Sequence, residues 1–181
     1  MAKEQGKVRF IGFSAHTTKA AVEALRSFPF DAVMFPINYV EYFNRGFGKE
    51  VLEVAQEKGA GVLAIKPTNA GLPKPGEALK HQWWYRTLED QEEINIAWRF
   101  TLSLPGVVTG FSPAWLDLAE KAITAGYAYR PITQDEIKKL MQMAEGQGSI
   151  FKREEDSVAL GRHFNSPYPH HPHECGAAMW G

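Results

Sequence analysis

Three stretches of the sequence carry side chains suited to chemistry. Near the C-terminus, YPHHPHEC (168–175) gathers His170, His171, His173, Glu174 and Cys175. Imidazole, thiolate and carboxylate all ligate borderline metals. Their spacing matches no closed structural site and two prolines restrict it, so the stretch reads as a solvated tail that picks up metal weakly, and no metal site is assigned. The second feature is Lys66, which ends the apolar run GVLAIK (61–66). A lysine at a strand's C-terminal end suits phosphate contact or Schiff-base chemistry. The sequence shows no partner to lower its pKa, which a nucleophilic amine requires. The third feature is a repeated wording, GFSAHT (12–17) and GFSPAW (110–115). Each follows an apolar run and opens a helical pattern. Such a turn presents backbone N–H groups to an anion, although an ordinary strand-to-helix turn reads the same way. His16, inside the first of them, is either polar surface or a phosphate contact. The run from Lys152 to Asp156 reads as a solvated charged face.

These residues need elements to position them. Four short apolar runs, VRFIGF (8–13), DAVMFP (31–36), GVLAIK (61–66) and GVVTGF (106–111), barely alternate. Strands buried on both faces by covering helices read this way. A helical pattern follows each run. The first is TTKAAVEALRSF (17–28). The second is GKEVLEVAQEKG (48–59), with Gly59 placed to cap its end. The third opens at the acidic TLEDQEE and must stop before Pro105. The fourth is PAWLDLAEKAITAG, with Pro113 near its first position and Gly126 past its end. The order β-α-β-α-β-α-β-α implies parallel strands joined by right-handed crossovers. A last helix is announced by the capping-box spacing of Thr133 and Glu136 and runs to about Glu145. The expected organisation is therefore one βα-repeat unit over residues 1–145 and an extended or disordered His- and Pro-rich tail over 146–181.

The segment between the third strand and its helix, PTNAGLPKPGEALKHQWWYRT (67–87), is long for a compact domain. Trp83, Trp84 and Tyr85 disfavour disorder. Either a ligand-covering loop or aromatic packing on the rim fits.

Bulk composition narrows the function classes. A chain of 181 residues suits one domain. A net charge of −1 gives no general pull toward nucleic acid or membrane, so neither is expected as a partner. No apolar run approaches the ~20 residues of a membrane span, and MAKEQGKVRF has no apolar leader core. The single cysteine forbids an internal disulfide and fits a reducing cytoplasm.

Taken in order, GKVRFIGFSAHT, FDAVMFPINY, KGAGVLAIKPTNAG and LSLPGVVTGFSPAWLDLAEKA resemble the aldo-keto reductase family, in a divergent bacterial branch, from about residue 2 to residue 145. The resemblance implies half of a TIM-type (β/α)8 barrel, namely strands five to eight as four parallel βα units, plus a C-terminal helix and extended tail. It implies an NADP- or NAD-dependent reduction of a small carbonyl compound in a full-length parent, with Met1 an internal methionine. The family's catalytic Asp, Tyr, Lys and His lie on the first four strands, which have no counterpart here. No catalytic residue is therefore assigned, Tyr39 and Tyr42 are read as rim residues, and the chain alone is expected to be inactive.

What the resemblance does assign is most of a cofactor cleft. Ser14 matches the serine that hydrogen-bonds the nicotinamide carboxamide, and Asn38 matches a family asparagine. Ile65 stands where many members stack an aromatic ring on the nicotinamide. Lys66, Pro67 and Thr68 continue the segment that follows the pyrophosphate, and Gly110 and Ser112 match the phosphate turn. This sequence also departs from the pattern. Ala15 replaces an asparagine, Met34 replaces the glutamine that holds the amide, and Trp115 to Ala119 offers no Arg for a 2′-phosphate and no Asn for adenine. A different class of function stays open beside this one. A half-barrel has exposed strand edges at VRFIGF and GVVTGF, so it is also suited to self-association or to service as a non-catalytic binding module.

Overall fold

The computed structural model describes residues 2–81 and 83–159. Four strands form one parallel sheet in chain order: β1 (Gly12–Ser14), β2 (Ala32–Pro36), β3 (Gly61–Ile65) and β4 (Val107–Gly110). Helices connect and cover them: α1 (Thr18–Ser27), α2 (Tyr39–Arg45), α3 (Lys49–Lys58), α4 (Gln91–Ser103) and α5 (Leu116–Tyr127), followed by α6 (Gln134–Ala144) and α7 (Lys152–Ala159).

Local chemistry explains most helix ends. Gly59 closes α3 at φ 69°, a left-handed conformation that costs glycine little. Asp90 accepts from the Glu93 amide and opens α4. Thr133 and Glu136 make a reciprocal capping box on α6. The start of α5 differs from expectation. Its N-cap is Trp115, so Pro113 lies two residues outside, and Gly126 lies inside the last turn.

The sheet is not buried on both faces, as its apolar runs suggest. Val33, Phe35, Val62 and Ala64 are fully buried against α1 and α3, with Ala21, Val22, Leu25, Val51, Leu52 and Ala55 completing that core. The alternate positions Met34, Leu63 and Ile65 are only half-buried, and Gly12 and Ser14 are exposed. Four strands do not close on themselves, so the face that forms the interior of an eight-stranded barrel is left open. A bulge at Val108 sharpens the curvature of the β4 edge. Val62 pairs with Val107 and Leu63 with Thr109, which leaves Val108 over Gly61, where an added Cβ would lie 3.2 Å from its methyls. A second core joins α4, α5 and α6 through Ile94, Ala97, Trp98, Leu118 and Leu140.

Part of the segment read as an extended tail is packed structure. Ile150 and Phe151 are buried in the first core, and Phe151 stacks on Phe47 at 5.0 Å. Beyond them α7 forms. Its Glu155 accepts from the Thr18 amide of α1 at 2.6 Å, so the run from Lys152 to Asp156 is not a uniformly solvated face. Among the described residues no helix is long and apolar enough to cross a membrane.

Candidate functional site at the C-terminal ends of the strands

Parallel register carries the C-terminal ends of all four strands to one side. Ser14 pairs with Met34, Met34 with Leu63, Pro36 with Ile65, and Ala64 with Gly110. Ser14, Ile65, Lys66, Gly110 and Ser112 therefore share one rim, with Ser14 and Ser112 exposed and Ile65 and Lys66 half-buried. This is the side on which βα proteins bind ligands.

Lys66 departs most from ordinary backbone. It is the only non-glycine residue with positive φ (60°) among the described residues, a conformation that costs a side-chain-bearing residue about 1–2 kcal/mol. Its ammonium lies 5.0 Å from the Trp84 ring and 4.9 Å from the Tyr85 ring. Aromatic faces attract a cation, and an ammonium held there suits attraction of an anion. His16 stands nearby. Burial, and then the Lys66 charge, push its pKa below the ordinary histidine value.

Asn38 and Thr68 are placed differently from the exposed rim residues. Asn38 is buried, and its Oδ1 accepts from the Glu41 amide at 3.0 Å, capping α2, and from Asn69 Nδ2 at 3.2 Å. Its own Nδ2 is buried without a hydrogen-bond partner. Thr68 is buried with its hydroxyl 3.0 Å from that of Thr87, and its carbonyl accepts from the Leu88 amide. Pro67 is buried beside it.

Those Thr68 contacts close the base of the long 67–87 segment. Asn69 and Thr87 form an antiparallel bridge, and Ala70 and Gly71 exchange backbone hydrogen bonds with Arg86. Its tip is fastened to α5. His81 is buried with Nδ1 3.1 Å from Glu89 and Nε2 3.0 Å from Asp117, and Lys80 reaches Asp117 at 3.0 Å. The Lys80 hydrogen bond, against opposing desolvation and with help from His81, lowers the Asp117 pKa to about 2. Trp83 meets Trp115 edge-on at 5.2 Å, and Tyr85 is buried. Of the two readings of this segment, the aromatic packing is realised. A cavity of about 350 Å³ also lies beneath it, bordered by Glu77, Lys80, His81, Arg86 and Glu93.

Two residues named from the sequence change meaning. Tyr39 is not on the rim, because it is fully buried in the second core and burial drives its pKa far up. Tyr42 is half-buried against Phe43 and Phe100. The sequence reading missed Glu41, which is fully buried on α2. Its carboxylate accepts from Ser149 Oγ at 2.6 Å and from the Ile150 amide at 2.7 Å. Burial raises its pKa despite those two bonds. The signal was present as Asn38 followed three residues later by Glu41, the spacing of a helix start. Among the described residues no group of three or more His, Cys, Asp or Glu side chains is arranged to hold a metal. The His-rich stretch 168–175 lies outside the described residues.

The sheet order, its connecting helices and the shared rim define half of a parallel βα barrel. Comparison with known proteins places that half. The chain belongs to the aldo/keto reductase family, whose model matches residues 1–147. Its structure is similar to the aldo-keto reductase AKR11C1 from Bacillus halodurans. With the holo form the TM-score is 0.58 at 16% identity, covering 82% of this chain and 55% of that one. With the apo form it is 0.57 at 16% identity, covering 82% and 56%. A thermostable aldo-keto reductase, Tm1743, in complex with the inhibitor epalrestat gives 0.50 at 18% identity, covering 78% and 51%. The chain thus spans about half the length of these structures. No curated protein matches it.

Proposed function

We propose that this chain supplies the cofactor cleft of an aldo-keto reductase-like, NAD(P)H-dependent oxidoreductase acting on a small carbonyl compound. The observation that carries the reading is the rim itself, where Ser14, Ile65, Lys66, Gly110 and Ser112 meet at the C-terminal ends of four parallel strands in a chain of this family. The donor set fits a nicotinamide carboxamide. The Ser14 hydroxyl is exposed on the rim, where a carboxamide can meet it, and Asn38 Nδ2 is a second donor lacking a partner, enclosed behind the rim. Lys66 supplies positive charge on the pyrophosphate side, and the turn from Gly110 to Ser112 presents backbone to phosphate. Ile65 offers an apolar contact for the nicotinamide ring.

The cofactor, when bound, supplies hydride. What these residues do is hold and orient it. None of the assigned rim residues pairs a general acid with a charged neighbour in the way proton delivery to a carbonyl oxygen requires, so the chain alone is proposed to be inert toward aldehydes. The fit does not discriminate NADP from NAD, because Trp115 to Ala119 carries no guanidinium. A cytoplasmic setting is proposed from the single cysteine.

Titration of the purified chain with NADPH and NADH, read by nicotinamide fluorescence, tests the assignment. Saturable binding that weakens about tenfold or more in Ser14→Ala and Lys66→Ala is expected, with no aldehyde-dependent oxidation of the cofactor. Binding unaffected by both substitutions overturns the cleft assignment. Turnover that copurifies with the protein overturns the claim of inactivity.

A further inference from the structure

The fold leaves two apolar surfaces uncovered, one beside each edge strand. The first lies outside β1. Phe13, Phe30 and Phe28 pack as a row of mutually tilted rings with centroids 4.5 and 4.7 Å apart, with Phe28 exposed, and beside them α1 turns out the small residues Ala20 and Ala24. No helix precedes β1 among the described residues to cover this surface. The second surface is on α5. Leu116, Ile123 and Tyr127 are 75%, 59% and 91% exposed, and spacings of seven and four residues place them on one face of the helix. In a right-handed βα order, the helix after a strand lies between that strand and the next. For α5 the next strand is one that β4 still has to pair with, since among the described residues β4 pairs only with β3 and β1 only with β2.

We infer that two copies of this chain associate about a two-fold axis along the strands, pairing β4 of each with β1 of the other. The operation places the Leu116–Ile123–Tyr127 stripe of one α5 over the Phe13–Phe30–Phe28 row and the small face of α1 in the other copy. Exposed Glu120 on α5 is carried toward Arg26 on α1. Applied once more, the same rotation returns to the start, so all four free edges are paired and the assembly is closed. Eight parallel strands is also the number at which side chains fill a barrel interior, and the half-buried Met34 and Leu63 and the exposed Val108 then face their counterparts. An antiparallel arrangement of the halves would not continue the parallel sheet or seat α5 over β1. The inference rests on the fold and stands or falls apart from the cofactor reading.

Sedimentation equilibrium of the 181-residue chain, with circular dichroism as the check on folding, tests it. The chain, of 20.3 kDa, is expected to sediment at about twice that mass. Leu116→Asp and Ile123→Asp, both at exposed positions, are expected to weaken dimerisation at least tenfold with unchanged helix content. A folded monomer at tens of micromolar, an open-ended polymer, or dimers indifferent to both substitutions would each overturn the arrangement. Should the aspartate variants unfold, disulfide trapping replaces them. In a Cys175→Ser background, Ala20→Cys mixed with Ile123→Cys is expected to yield a cross-linked dimer under mild oxidation, and failure of the mixture to cross-link refutes the two-fold.

Discussion

Replacing Glu41 by alanine removes the acceptor for two hydrogen bonds that join α2 to the segment after α6, from Ser149 Oγ and from the Ile150 amide. The two losses are unequal. Ser149 Oγ still accepts from Arg45 at 3.0 Å and from the Lys152 amide at 3.0 Å. The Ile150 amide is in a buried residue and is left unsatisfied, at a cost of about 1–3 kcal/mol. Relief from burying a carboxylate offsets part of this, so Glu41→Ala is expected to lose about 2 kcal/mol. With a urea m-value of about 2 kcal/mol/M, the midpoint falls by about 1 M. Glutamine separates charge from hydrogen bonding, since its Oε1 accepts from Ile150 while its amide donates to Ser149 Oγ. Because burial raises the folded-state pKa of Glu41 above its ordinary value, this group's favourable contribution is full below the unfolded value of 4.5 and is lost as pH rises through the folded value. Glu41→Gln should therefore gain on the wild type from pH 4 to pH 8, and the deficit of Glu41→Ala should be largest at the acidic end. Urea titrations of the three proteins at pH 4.5 and 8 decide the matter. A Glu41→Ala midpoint equal to wild type at pH 4.5, or a glutamine variant weaker than the alanine variant, refutes the reasoning.

Three further outcomes follow from other contacts. Gly110→Ala places a Cβ 2.6 Å from Cζ3 of Trp98, so overpacking should cost about 1–3 kcal/mol and alter the near-ultraviolet circular dichroism of the tryptophans. Glu136 is held to a pKa of about 2 because the Thr133 amide, Arg130 and Arg99 together outweigh its desolvation. Its contribution is present above pH 4.5 and lost as pH falls toward 2, so Glu136→Gln should flatten the acid limb of the stability profile. Thr133→Ala should independently cost about 1 kcal/mol through loss of the cap, read from the thermal midpoint. His81→Ala removes the contacts to Glu89 and Asp117 at the tip of the 67–87 segment, and amide exchange across residues 77–86 should quicken while that of β2 and β3 stays unchanged.

Much of this architecture was legible in the residues. Three of the four apolar runs contain their strands, whereas VRFIGF overlaps β1 only at Gly12 and Phe13, and Gly59, Pro105 and the Thr133–Glu136 pair fix helix ends by chemistry acting over three or four residues. What escaped is what depends on distant partners. The helix α2 is written YVEYFNR, too short to show an apolar period, and Tyr42 within it packs against both cores. The helix α7 has no apolar period and is placed by distant polar contacts, Glu155 with an amide 137 residues earlier and Asp156 with Arg45. The open inner face escaped because Met34, Leu63 and Ile65 read the same whether a barrel is closed over them or not. At the rim, residue types pointed to Ser14 and Lys66. They did not show that Asn38 and Thr68 are buried in hydrogen-bonded networks, or that Lys66 needs a left-handed backbone.

The Glu41 clasp also bears on the order in which the molecule comes together. Its partners lie 108 and 109 residues further along the chain, so during synthesis α2 leaves the ribosome long before Ser149 and Ile150 exist. Until then Glu41 has no lasting acceptor role and must stay hydrated, which holds α2 away from the apolar surface it will later join. Sequence-distant contacts of this kind form late because the intervening chain must first be ordered. Arrival of residues 149–151 therefore acts as a completion signal. It brings Phe151 onto Phe47 and permits the carboxylate to be buried in one step, so that the appearance of these residues, not the folding of α2 itself, times the sealing of this core.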